Sequence, residues 1–174
     1  MRMVVLGLSL SSSWGNGHAT TWRALLAALG ARGHEILFLE RDVPWYAAHR
    51  DLPDPAYCRL VFYDDLDTLA AHRPAIAAAD CVMIGSYVPE GIAVIDLVQS
   101  AARGITAFYD IDTPVTLARL ARGDLDYLDP AQIAGFDLYF SFTGGPTLGE
   151  MERRFGARAA RALYCSVDPA LHAP

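Results

Sequence analysis

Residues 3–40 read MVVLGLSLSSSWGNGHATTWRALLAALGARGHEILFLE. The apolar run Met3–Ser9, bounded by serines and glycines, suits a strand buried on both faces. After a loop of serines and glycines, Ala19–Arg32 places Trp22, Leu25, Leu26 and Leu29 on one helical stripe, with Gly33 as its stop. Glu35–Glu40 (EILFLE) is a second strand. Strand, loop, helix and strand make one βαβ unit, which implies two parallel strands joined by a right-handed crossover.

Downstream the alternation continues. Arg41–Arg59 is rich in proline and aromatics and has no clear period. A short strand is expected at Leu60–Tyr63, with a helix over Asp64–His72 that Pro74 either breaks or restarts. Asp80–Ser86 and Ile105–Tyr109 are further strands, separated by a helix over Gly91–Ala102. Thr113–Arg122 is a helix with Pro114 in its first turn, and a short helix is expected near Pro130. Strand six is Asp137–Phe142, a helix runs from Pro146 to Phe155, and Ala162–Val167 is a final strand. The expected fold is a Rossmann-like three-layer α/β/α sandwich, with a mostly parallel sheet of about seven strands.

The composition narrows the function. With 174 residues the chain makes one domain, and 53% hydrophobic against 20% charged residues excludes a disordered one. The net charge is −6 without a basic stripe, so nucleic acid and anionic membranes are not expected partners. All 14 basic residues are arginine. Without lysine there is neither a P-loop nor a pyridoxal Schiff base. Cys58, Cys81 and Cys165 form no disulfide framework, and Cys81 and Cys165 sit in apolar runs that suggest buried thiols. His34, His49, His72 and His172 share no metal-ligand spacing and read as surface or helix-end residues, so no metal site is expected. The first apolar run is too short to span a bilayer and lacks a secretory cleavage pattern, from which a cytoplasmic protein is expected.

Open parallel sheets bind ligands beyond the carboxyl ends of their strands. Five such ends are rich in small and polar residues: Ser11–His18, Glu40–Tyr46, Ser86–Glu90, Asp110–Thr113 and Thr143–Thr147. In the first, Ser13, Gly15, Asn16 and Gly17 are candidate substrate-binding residues. His18, near a helix N-terminus, is a candidate catalytic base. Asn16 and His18 could instead simply cap the helix. Gly15-x-Gly17 with Glu40 as ribose acid half-matches a dinucleotide fingerprint, but Thr20 stands at its third position and the loop is long.

In Tyr109-Asp110-Ile111-Asp112-Thr113-Pro114, Asp110 is a candidate catalytic group and Asp112 a candidate substrate ligand. The same Asp-x-Asp spacing recurs at Asp65–Asp67 and Asp124–Asp126, and Asp112 alternatively caps a helix. Ser86, Tyr87, Thr143, Gly144 and Gly145 complete the candidate binding set. Glu40-Arg41-Asp42 with Trp45-Tyr46 mixes charges and flat rings, which suits a sugar or simple packing under the loop.

The opening run through RGHEILFLERDVPWY, with GSYVPEG, FYDIDTPVTLARL and LYFSFTGGPTLGEMERRFGARAARALYCSVDP, resembles a GT-B glycosyltransferase of the bacterial branch grouped with spore-maturation (CgeB-like) enzymes. The resemblance covers nearly the whole chain. It implies two Rossmann-like domains facing across a cleft, with 1–167 as the acceptor-side N-terminal domain and 168–174 as the start of an interdomain linker. A nucleotide-sugar donor would then bind a second domain rather than this chain, and the acceptor would be a small molecule or glycan. The alternatives are a stand-alone binding or interaction module and a dinucleotide-binding domain. The resemblance maps a base or acceptor-orienting group to His18 and a polar group to Asp110 or Asp112.

Overall fold

The computed structural model describes residues 1–124 and 126–170. Along the chain run β1 (Arg2–Gly7), α1 (Gly17–Gly30), β2 (Glu35–Arg41), α2 (Pro44–Ala47), β3 (Arg59–Tyr63), α3 (Leu66–Ala70), α4 (Arg73–Ala78) and β4 (Cys81–Gly85). Then come α5 (Gly91–Ala101), β5 (Ile105–Asp110), α6 (Thr113–Arg122), α7 (Pro130–Ile133), β6 (Leu138–Ser141), α8 (Pro146–Phe155) and β7 (Ala160–Ala162).

The sheet has seven strands in the order β3-β2-β1-β4-β5-β6-β7, and every pairing is parallel. Alternation along β1 explains why its sequence is apolar throughout. Val4 and Leu6 point into one core, while Met3 and Val5 point into the other. Leu69 of α3, Ile76 of α4, Val94 and Val98 of α5, Ile133 of α7 and Met151 of α8 cover the first face. Trp22 and Leu26 of α1 cover the second, helped by Tyr57, Cys58 and Leu163 from outside the helices. This is the expected α/β/α sandwich, with most of its helices on one side.

The order reverses between β1 and β4, so the chain leaves these two strands in opposite directions. A crevice opens at their carboxyl ends. Trp22 forms its floor. A Cβ at Gly7 would lie 2.5 Å from Phe38 Cζ and 2.9 Å from the indole Nε1, and one at Gly85 2.6 Å from the indole Cζ2. The strand ends carry glycine because these rings lie against them.

Three local expectations are corrected. The helix expected over Asp64–His72 is shorter, Leu66–Ala70, because the Asp65 side chain starts it by accepting from Thr68 N, and Pro74 begins a new helix, α4, as one of the two expected alternatives. The final strand is Ala160–Ala162 rather than Ala162–Val167. Beyond it the chain turns toward α1, with Tyr109 donating to the Tyr164 carbonyl at 3.3 Å and Ser166 to the Thr21 carbonyl at 3.0 Å. Leu163 fills the α1-side core, so an apolar run that resembles a strand is used for capping the sheet. That excursion also leaves Cys165 exposed, whereas Cys81 is half-buried. His172 lies outside the described residues.

Candidate active site

Residues 8–16 link β1 to α1, and Glu40 at the end of β2 shapes them. Its buried carboxylate accepts from Leu10 N at 2.6 Å, Ser11 N at 2.9 Å, Ser11 Oγ at 2.6 Å and Ser9 Oγ at 3.1 Å. Four donors on two oxygens leave it no capacity for a ribose. The Glu40 expected to meet a ligand is therefore a loop anchor, and the dinucleotide fingerprint loses its acid. Ser13 is likewise engaged, donating from N and Oγ to Asp51 at 3.1 and 2.6 Å. Arg23 grips the same carboxylate with two bonds of 2.6 and 3.1 Å, and this holds Asp51 well below the usual carboxylate range.

Asn16 caps α1, its Oδ1 accepting from His18 N at 3.0 Å. The cap is thus Asn16 alone, and the His18 ring is left for another purpose. Its Nε2 lies 2.7 Å from Asp112 Oδ2, a contact between the first turn of α1 and the turn after β5. Because a carboxylate only accepts, Nε2 carries the hydrogen. Nδ1 is buried with no partner among the described residues. Asp112 occupies the capping position of α6 yet makes no cap bond, since its side chain turns to His18 instead. The side chain of His18 is 10% exposed and that of Asp112 38%, so the imidazole stands behind a carboxylate that faces solvent.

Asp110 differs from its neighbour completely. It is fully buried, with Oδ1 accepting from Thr116 Oγ1 at 2.7 Å and Asp112 N at 3.2 Å, and Oδ2 accepting from Tyr139 at 2.6 Å. Burial pushes its carboxyl up to about 6, against the opposing pull of those bonds. It cannot touch an acceptor directly, which corrects the expectation that Asp110 is a catalytic group. It holds the turn that presents Asp112.

The other Asp-x-Asp pairs have different uses: Asp65 caps α3, and Asp124 and Asp126 both hold Arg119. Only the pair at the end of β5 stands beside the crevice.

Around the crevice, Ser86 is buried and accepts from Ile111 N at 3.1 Å, tying the β4 and β5 turns together. Tyr87 sits at φ 63 and Glu90 at φ 55, a left-handed conformation that costs a bulky residue energy and marks a constrained turn. Tyr87 meets the His18 ring edge-on at 5.7 Å and lies against Tyr127 at 4.4 Å. Arg41 pairs with Glu90 at 3.3 Å, linking the end of β2 to the β4 turn.

At β6, Ser141 Oγ lies 2.7 Å from Thr113 Oγ1 and 2.9 Å from Thr143 Oγ1, so Thr143 is bonded into the rim. A Cβ at Gly144 would lie 2.7 Å from the Tyr164 hydroxyl. Gly145 adopts φ 69, ψ −143, where only glycine is comfortable. Gly15 and Gly17 face open space. Sequence reasoning missed Ser141, Thr116, Tyr139 and Asp51, because single hydroxyls within a strand or helix and an acid in an unpatterned loop carry no local signal.

The structure therefore gathers His18, Asp112, Ser86, Tyr87, Thr143 and the glycines at the carboxyl ends of β1, β4, β5 and β6. It assigns Glu40, Ser13 and Asp110 to the framework beneath. A cleft of about 360 Å³ borders the first loop, lined by Ser13, Thr20, Arg23, Asp51 and Tyr57 among others. Among the described residues no group of histidine, cysteine and carboxylate side chains is arranged to hold a metal, and no helix is long and apolar enough to cross a membrane.

No protein-family model matches this sequence, and no curated protein matches it. Among solved structures, the chain is similar to an alpha-glucosyltransferase in complex with UDP and a 13-mer DNA containing a HMU base. Identity is 14% and the TM-score 0.62, over 97% of this chain and 43% of that one. This chain spans less than half the length of the enzyme it resembles. At that identity the likeness is one of fold, and the chain has the fold of part of a glucosyltransferase.

Proposed function

We propose that this chain is the acceptor-binding domain of a nucleotide-sugar-dependent glycosyltransferase, of GT-B type and in the CgeB-like branch. Residues 1–167 form the domain and 168–174 lead toward a second one that binds the donor. The observation that carries this reading is the 2.7 Å bond from His18 Nε2 to Asp112 Oδ2, which joins the first turn of α1 to the turn after β5 at the carboxyl edge of the sheet, where parallel sheets bind ligands. The fold shared with an alpha-glucosyltransferase supports it.

In the proposed reaction Asp112 is the catalytic residue. Its second oxygen takes the proton of an acceptor hydroxyl while the acceptor oxygen bonds to the sugar's C1. The bond from C1 to the phosphate oxygen breaks, and the nucleoside diphosphate leaves with that electron pair. His18 positions the carboxylate by holding Oδ2, and Asp110 positions it through the backbone of the turn. Ser86, Tyr87, Thr143, Gly15, Gly17, Gly144 and Gly145 shape the acceptor's surroundings. The nucleotide sugar is a substrate of the second domain.

The test is Asp112→Asn in the enzyme that carries this domain. Sugar transfer is expected to fall by about 100-fold, in the range of a lost general base, with the melting temperature unchanged. Transfer at the wild-type rate would refute the assignment.

A further inference from the structure

Two indoles stand out from the carboxyl rim. Trp14, in the β1–α1 loop, and Trp45, in α2 directly after β2, are each 54% exposed. Trp14 is not loose. One face lies on the His49 imidazole, with centroids 4.4 Å apart and planes within 13°. His49 is fixed in turn, donating from Nδ1 to the Trp45 carbonyl at 2.8 Å and accepting at its own carbonyl from Ser12 Oγ at 2.9 Å. The Trp14 amide donates to the same Ser12 hydroxyl at 3.3 Å. The indole is a braced plate with its other face to solvent, next in sequence to Gly15, which leaves the space beside it empty. Ordering a large apolar ring before binding removes much of the entropy cost of stacking on it.

The charges nearby say what would stack. Arg23 is joined to Asp51, Arg41 to Glu90, Arg50 to Asp42, and Arg119 to Asp124 and Asp126. These arginines belong to the rim loops and the helix turns beside them, and each already holds a carboxylate. Nucleic-acid binding depends on cations available to phosphates. An aromatic plate among carboxylates suits a ring with an apolar face and hydroxyl donors.

We infer that Trp14, braced by His49, is the stacking subsite for a neutral sugar ring, so that the acceptor is an uncharged saccharide rather than a nucleic acid. The inference rests on the transferase reading and names its acceptor class.

The experiment is calorimetric titration of the chain with neutral oligosaccharides of glucose, galactose, mannose or N-acetylglucosamine, beside a short single-stranded oligodeoxynucleotide. At least one saccharide binds, and more tightly than the oligonucleotide. Trp14→Ala weakens that binding by about tenfold, and Trp14→Phe, which keeps a ring, by less. His49→Ala, which removes the brace, weakens it by about threefold. Trp14 is exposed, so these variants keep the fold. Saccharide binding that Trp14→Ala leaves unchanged, binding of no neutral saccharide, or tighter binding of the oligonucleotide would each overturn the inference. Those results leave the transferase reading to its own test. Trp14-dependent saccharide binding, in an enzyme whose transfer survives Asp112→Asn, would support this inference and remove the Asp112 mechanism.

Discussion

The two ends of one parallel sheet differ in kind. At the amino end, strands follow helices through short turns: residues 31–34 before β2, 79–80 before β4 and 102–104 before β5. A groove of about 390 Å³ lies there, lined by Met3, Ile36, Ala75, Ala78 and Ala79 among others, and mostly apolar. A cleft of similar volume borders the loops of the carboxyl end, which are longer, residues 8–16 after β1 and 42–58 around α2, and which are held by the buried Glu40 and the exposed Asp51. Volume alone does not make a site. Convergent polar groups do, and in a parallel sheet the long connections bring them to one edge.

If that contrast is right, substitutions at the two ends must behave differently. The largest expected effect is on stability. Glu40→Ala leaves the amides of Leu10 and Ser11 buried without an acceptor, at a cost of about 3 kcal/mol or more. Urea denaturation measures it, and a loss under about 1 kcal/mol would mean the loop finds other partners. Next comes His18→Ala. It should lower sugar transfer by about 30-fold, less than loss of the base itself, while the melting temperature moves little. Equal losses of stability and activity would make His18 a packing residue.

Asp110 gives an intermediate, pH-dependent effect. Its folded carboxyl lies at about 6 against an ordinary 3.8, so the folded chain keeps a proton that the unfolded chain releases. The stability this supplies is complete below about pH 4 and is lost as the pH rises through 6, a change of about 3 kcal/mol. Asp110→Asn should flatten that dependence in denaturation curves between pH 4 and 7. A variant with the wild-type slope would assign the dependence to another group. The smallest effect belongs to the amino end. Ala78→Glu, on an exposed helix position beside the groove, should change stability by less than about 0.5 kcal/mol and transfer not at all. A clear loss of transfer would move the site to that end of the sheet.

Much of the architecture was legible because buried parallel strands are apolar at every position, as VVLG in β1 and CVMIG in β4 are. Helix starts were legible where proline or an acid marks them, as at Pro114 and Pro146. The last strand was misplaced because ALYCSV has strand composition, and only the tertiary contacts of Leu163 and Ser166 show its use. The site was half legible. Strand-end position identified His18, Asp110 and Asp112 together, but the sequence could not tell which acid is sealed. That distinction depends on Tyr139 and Thr116, which reach Asp110 from 29 and 6 residues away. Glu40 was misjudged for the same reason, since its partners are two backbone amides and two serine hydroxyls some thirty residues upstream in sequence.

On the proposed mechanism His18 of α1 and Asp112 after β5 act as one unit. The most direct measurement is a double-mutant cycle on sugar transfer with His18→Ala, Asp112→Asn and the pair together. The double variant is expected to be no slower than Asp112→Asn alone, because in this mechanism His18 works only through that carboxylate. Losses that multiply in the double variant would show two independent roles and contradict it.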